Sequence, residues 1–293
     1  MQILDGKLAA QSIKDTLQKK ISELPIGFRK PCLAAVLVGN NPASETYIGS
    51  KIKNCQEVGF ESRLIRLPEN CSENILLDAI SSLNADSTVD GILVQLPLPK
   101  HISESKIIEL IQPGKDVDGF HPVNAGKLML NEPCFVPATP YGIMLLLSHF
   151  QIETSGKHAV VIGRSNIVGR PMSVLLSQPG NQGNCTVTVC HSKTPDLPYF
   201  TRQADIIVAA IGKPEFLKAD MVKEGAIVID VGINRVEDKS KKSGFALKGD
   251  VDFDAVSKKS AWISPVPGGV GLMTIAALLT NTYRAFEHHQ QKN

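Results

Sequence analysis

Apolar residues recur at helical spacing from residue 7 to residue 24 (Ala9, Ile13, Leu17, Ile21, Leu24), and Pro25 with Gly27 ends the run. A continuous apolar stretch over 33–38, closed by Gly39, predicts a strand buried on both faces. Asn41 and Pro42 suit the N-cap and first helical position of a helix that stops at Gly59. Strands are expected at 64–67 and 91–99, with a helix over 72–84 between them and a short helix before Pro113. Prolines and a glycine over 137–142 then break the pattern and open an apolar helix reaching Phe150. Beyond it the rhythm changes, because apolar runs at 158–163, 185–190, 205–211 and 226–231 follow one another with short crossovers. Buried strands so connected predict a mainly parallel sheet with helices on both faces. Residues 236–248 are Lys-rich and polar, an exposed hairpin or flexible loop, and a glycine-rich stretch over 262–271 leads into a last helix from Leu272 to about Phe286.

This alternation predicts an α/β chain of two domains. An N-terminal α/β domain over 1–136 is completed by a C-terminal helix within 272–293, and 137–271 form a Rossmann-like doubly wound domain, with the active-site cleft between the two. The junction at 158–171 passes from a strand through a glycine-containing turn to a helix start. There Gly163 and Gly169 permit close approach, and unpaired helix N–H groups face any anion. Ser165 and Val168 stand where the dinucleotide fingerprint has glycines, so a tight turn without a ligand remains open on spacing alone. After the next strand, about 20 residues on, an NAD enzyme places a carboxylate for the ribose hydroxyls. This chain has His191, Ser192 and Lys193 there. With Arg164 they offer donors to a 2′-phosphate, which favours NADP over NAD.

Bulk composition narrows the classes further. At 293 residues and 43% hydrophobic content the chain can fill two cores. A net charge of +2 without a basic tract argues against nucleic acid as partner. The six cysteines show no CxxC and no zinc-ligand spacing with histidines, so no metal is expected and a reducing compartment is. Neither a signal-like amino terminus nor an apolar run of membrane-spanning length is present in the sequence, which leads us to expect a cytoplasmic location and no membrane partner.

The first half carries several candidate polar residues. Tyr47 and Lys51 are four apart on the second helix and share a face, which on spacing alone suits a solvated surface as well as a site. Gln95 interrupts an apolar run just before two prolines; its amide either ties down a loop or meets a ligand at the carboxyl edge of the strand. Asp116 and Asp118 lie in a glycine-flanked loop, as a solvated turn or as acceptors for a polar heterocycle. The glycine cluster before the last helix either binds an anion or simply bends twice.

Taken together, YIGSK at 47–51, VDGILVQLPLP at 89–99, KDVDG at 115–119, GRS at 163–165 and PVPGGVG at 265–271 closely resemble one family. It is the bifunctional methylenetetrahydrofolate dehydrogenase/cyclohydrolase family, and the likeness runs nearly end to end. The resemblance implies a homodimeric enzyme of one-carbon metabolism that oxidises 5,10-methylenetetrahydrofolate with NADP and hydrolyses the methenyl product to 10-formyltetrahydrofolate. It implies Lys51, Tyr47, Gln95 and Asp118 as catalytic residues, and a folate site of these with Val94, Leu96, Pro267, Gly268, Gly269, Val270 and Gly271. The NADP positions fall on Gly163, Arg164, Ser165, Ser192 and Ile233. Two departures stand out: Gly49 lies inside the YxxxK turn, and Leu272 follows Gly271 where proline is usual. The alternative is an NADP dehydrogenase of another small substrate without cyclohydrolase activity.

Overall fold

A computed structural model of the chain describes residues 1–238, 240–241 and 244–291. In chain order the elements of its first half are β1 (Gln2–Ile3), α1 (Gly6–Ser22), β2 (Cys32–Val38), α2 (Pro42–Glu57), β3 (Glu61–Leu67), α3 (Glu73–Ala85), β4 (Gly91–Val94), α4 (Glu104–Leu110) and α5 (Pro122–Met129). There follow α6 (Ala138–His149), β5 (His158–Ile162), α7 (Gly169–Ser177), β6 (Thr186–Cys190), α8 (Leu197–Thr201), β7 (Ile206–Ala209) and β8 (Ile227–Asp230). The chain continues through β9 (Asn234–Glu237), β10 (Phe245–Lys248), α9 (Phe253–Val256), β11 (Trp262–Ile263) and α10 (Val270–Gln290).

Two compact units result. One holds Gln11–Ala138 with Ile275–Asn293 and the other Met1–Ala10 with Thr139–Thr274. The expected first domain began at residue 1; residues 1–10 instead group with the later residues, because β1 pairs in parallel with β11.

In the unit of Gln11–Ala138 the sheet order is β3-β2-β4, all parallel. β2 is the middle strand and every one of its residues is buried, as its unbroken apolar run requires. Cys32, Ala34, Val36 and Val38 share a core with Leu76, Ile80 and Leu83 of α3 and Ile107 of α4. The helix α2 begins as expected, with the Asn41 side chain accepting from the backbone N–H groups of Ala43 and Ser44. Gly49 does not interrupt it. β4 is shorter than the expected strand and ends at Val94, before the two prolines that cannot continue a ladder.

In the other unit six strands run in the order β1-β11-β8-β7-β5-β6, every neighbouring pair parallel. β5 has β6 on one side and β7 on the other, so the order reverses there, and ligands of open parallel sheets bind outside the carboxyl ends at such a reversal. β9 and β10 form the expected hairpin, of which 239, 242 and 243 lie outside the described residues. The last helix starts at Val270, earlier than expected. At the departure from the usual proline, the backbone N–H of Leu272 donates to Gly269 at 3.2 Å, a bond that proline cannot make. Among the described residues no helix is long and apolar enough to cross a membrane.

Candidate functional site

On α2 the residues Ser44, Ile48, Lys51 and Cys55 are buried, a spacing that places them on one inward stripe. Lys51 therefore belongs to the buried face and is only 8% exposed, while Tyr47 sits at its margin, 36% exposed. The Lys51 ammonium donates to Gln95 Oε1 at 3.2 Å, and the Gln95 amide donates in turn to the Leu96 carbonyl at 2.7 Å. Gln95 thus ties the turn after β4, the first of the two tasks expected of it, and presents its amide oxygen to a lysine. Val94 is buried at the end of β4, and Leu96 is half-buried beside it.

Asp116 and Asp118 prove to have different work. Asp116 accepts from the backbone N–H groups of Phe120 (3.2 Å) and His121 (2.8 Å) and from the Asn124 amide (2.8 Å), fixing the loop against α5. Lys115 anchors the same loop by donating to the carbonyls of Leu83, Asn84 and Asp86 at the end of α3. Gly119, at φ 74°, makes the turn where any side chain would overlap the backbone of Val136 and Pro137. Asp118 is left hydrogen-bonded to no described residue, partly accessible and yet deep in the fold, with its acceptor oxygens uncommitted.

The electrostatics follow from this burial. Desolvation lowers the Lys51 pKa from its ordinary value, while the charges of Asp118 and Cys55 pull it back up. Desolvation raises Asp118, opposed by Lys51 and reinforced by Asp116. Burial likewise raises the Tyr47 phenol. A lysine with one neutral acceptor and a nearby acid, taken largely out of water, can carry a proton or give it up at modest cost.

In the unit of the six-stranded sheet, Gly163, Arg164, Ser165 and Ser192 line one cavity of about 330 Å³ with Ile162, His191, Leu197, Ala210, Ile211, Lys213 and Phe216. Its walls come from the carboxyl ends of β5, β6 and β7, at the reversal of strand order. A Cβ on Gly163 (φ 133°) would overlap the Ala210 carbonyl, and one on Gly169 would overlap the Gly163 carbonyl, so both glycines are required by the fold itself. Ser165, the residue in place of a fingerprint glycine, accepts from the backbone N–H groups of Val168 (3.2 Å) and Gly169 (3.4 Å) and so secures the start of α7. Arg164 and Ser192 are exposed and free to meet a phosphate. Lys213 belongs to the loop 212–214 that the sequence places after the third strand of this sheet, at its carboxyl edge, whereas Phe216 went unnoticed in the sequence.

Ile233 is set apart from that cavity's lining and stands where a Cβ on Gly271 would touch it. Pro267, Gly268, Gly269, Val270 and Gly271 belong to the same unit, with Val270 and Gly271 already in the first turn of α10. Gly269 lies against Gly6, where no side chain would fit. Among the described residues no group of three or more His, Cys, Asp and Glu is gathered as a metal would need.

Comparison with known proteins adds a second line of observation. Residues 4–118 match the catalytic domain of tetrahydrofolate dehydrogenase/cyclohydrolase, and residues 137–290 match the NAD(P)-binding domain of the same description. The chain is 59% identical over 294 residues to the bifunctional protein FolD of Flavobacterium johnsoniae, with 100% of both chains covered. The crystal structure of the bifunctional FolD methylenetetrahydrofolate dehydrogenase/cyclohydrolase of Campylobacter jejuni is 52% identical, covers 98% of this chain and 99% of its own, and superposes with a TM-score of 0.92. A Trypanosoma brucei methylenetetrahydrofolate dehydrogenase-cyclohydrolase, described as complexed with NADP cofactor and inhibitor, is 38% identical with a TM-score of 0.92, over 98% of this chain and 97% of that one.

Proposed function

The chain belongs to the tetrahydrofolate dehydrogenase/cyclohydrolase family, and from that premise we propose how its own residues divide the two activities. It oxidises 5,10-methylenetetrahydrofolate to the 5,10-methenyl compound with NADP and hydrolyses that product to 10-formyltetrahydrofolate. NADP, when bound, supplies the acceptor for the hydride. Its phosphates fit the chain at the Gly163 to Ser165 turn, where the backbone is already pared to glycine. Arg164 and Ser192 supply donors for a 2′-phosphate in a place that holds no carboxylate to repel it. Ile233, set apart from that cavity's lining, joins this set on the family resemblance alone.

Loss of hydride from the one-carbon bridge leaves a cation shared by two nitrogens. No proton moves to or from the protein in that step, so positioning dominates it. In the reading we favour, Asp118 accepts from the amino group and ring N–H of the pterin and fixes its orientation, while Tyr47 packs on the ring. Val94, Leu96 and the 267–271 residues complete the folate contacts.

Hydrolysis makes a stronger demand. Water adding to the methenyl carbon must lose a proton, and the nitrogen released when the C–N bond breaks must gain one. Lys51 takes the first and returns the second, and Gln95 holds its amine without adding charge. The observation that carries this reading is the desolvated Lys51 amine on Gln95 beside an uncommitted Asp118. The test is to incubate the purified protein with methylenetetrahydrofolate and NADP and to follow NADPH and the 10-formyl product together. Both are expected to rise in step. NADPH alone, with methenyl compound accumulating and decaying only at its spontaneous rate, would leave a dehydrogenase without cyclohydrolase activity.

Two further expectations belong to this proposal. All six cysteines are free thiols, which supports a reducing, cytoplasmic location, to be checked by cell fractionation. The edge strand β6, with Val189 exposed, supports a homodimer. A solution mass near the 31.6 kDa of one chain would remove it.

A further inference from the structure

Two carboxylates left unused by the reactions above are buried at the carboxyl edge of the six-stranded sheet. Asp230 ends β8 and Asp250 follows β10; the former is 3% exposed and the latter 0%. Asp250 collects four N–H donors. Its Oδ2 accepts from the backbones of Ile211 (2.6 Å) and Gly212 (2.8 Å), and its Oδ1 from the backbone of Lys213 (2.9 Å) and the Asn234 amide (2.9 Å). Asp230 accepts from the backbone of Gly232 (2.9 Å) and from those of Asp250 (2.8 Å) and Val251 (3.0 Å), so it holds the segment that carries Asp250. A Cβ on Gly232 would overlap Asp250 Oδ1, and one on Gly249 would overlap Asp230. The chain is therefore wrapped on both carboxyl groups without room for a side chain.

The donors gathered by Asp250 come from two places that matter for the nucleotide. Ile211 and Lys213 line the cavity of Gly163 and Arg164, and Asn234 adjoins Ile233. A carboxylate is the one side chain that can meet four such donors, because it offers two acceptor oxygens and no N–H of its own. Without it, three consecutive backbone N–H groups at the end of β7 would need water or a new turn, and the cavity wall would lose its single shape.

We propose that Asp250 is a positioning residue for the dehydrogenase reaction, tying the 211–213 wall of the nucleotide cavity to Asn234 so that the cavity is formed before NADP arrives. The proposal rests on the reading of that cavity as the NADP site. Burial pushes the Asp230 carboxyl up to about 6, with Asp250 adding to the rise and the three backbone donors opposing it. Asp230 is thus buried at a cost that its three backbone donors offset.

The test is steady-state kinetics of Asp250→Asn beside Arg164→Ala, with the thermal transition of each recorded. Asn places an NH₂ group against N–H donors, and we expect KM for NADP to rise about tenfold or more, with kcat and KM for methylenetetrahydrofolate within about threefold. Asp250→Glu should recover part of that loss. A fall in kcat at unchanged KM for NADP would mark Asp250 as a support of folding only and overturn the proposal. If Arg164→Ala raises the KM for NADP and Asp250→Asn does not, this inference fails and the cavity reading stands; if neither does, the cavity reading has failed first. Should Asp250→Asn not fold, Asn234→Ala removes one donor from the carboxylate. A rise of a few-fold in KM for NADP then supports the proposal, and an unchanged value overturns it.

Discussion

The two units use polar atoms in opposite ways. In the unit of β2 and α2 an ammonium stands on the buried stripe of a helix with one amide acceptor and one nearby acid, and its pKa moves because water is excluded. In the unit of the six-stranded sheet the cavity we propose for the nucleotide is a matter of glycines, backbone N–H groups and exposed side chains such as Arg164 and Ser192, which remain solvated. The difference teaches that moving protons requires a group made uncomfortable by its surroundings. Recognising a phosphate requires groups that are comfortable in water and can exchange it for an anion.

The sharpest way to break this contrast is Lys51→Met, which keeps the volume and removes the amine. Hydrolysis of the methenyl compound should fall about 10²–10⁴-fold, the usual worth of a positioned acid–base group, while hydride transfer stays measurable. Equal loss of both activities in a folded, folate-binding variant would end the division of labour. Next in size, Arg164→Ala should raise KM for NADP about 10–100-fold and leave KM for NAD nearly where it was, since a charge-assisted contact to one phosphate is all that is lost. An unchanged NADP to NAD ratio would take Arg164 out of the phosphate site.

The smallest effect sharpens the comparison and concerns pH. A free Lys51 amine is needed to accept the proton of water, so hydrolysis should gain with rising pH as Lys51 deprotonates, with a midpoint below the ordinary lysine value. Asp118 favours the charged ammonium, so Asp118→Asn should let the proton go more easily and move that midpoint to lower pH. A pH–rate profile in which the midpoint stays put would mean that the two groups do not feel each other.

Much of this was legible in the chain. The unbroken run of β2 announced a strand buried on both faces, and Asn41 with Pro42 marked the start of α2 to the residue. β1 and β11 were not legible, because two residues carry no period and their pairing is decided far away in the sequence. The four-residue spacing of Tyr47 and Lys51 suggested a shared face, but the informative spacing was that of Ser44, Ile48, Lys51 and Cys55, where a lysine falls among residues turned inward. Asp116 and Asp118 looked alike because nothing local distinguishes a carboxylate that will meet Asn124 and His121 from one that will meet none of its neighbours. Ser165 looked like a defect in a glycine motif and is a hydroxyl that caps the turn. Asp250 escaped notice for a related reason, since it follows a polar stretch and its four donors come from elsewhere in the chain.

The parallel pairing of Gln2 with Trp262 and of Ile3 with Ile263 has a consequence for biogenesis. Residues 2–3 emerge from the ribosome long before their partner strand exists, so during translation the growing sheet waits with one lateral position unfilled. Pairing across so wide a span is slow to find and is made late. A nascent chain arrested before β11 should therefore expose the flank of β8 to chaperones, and the arrival of β11 closes that side of the sheet.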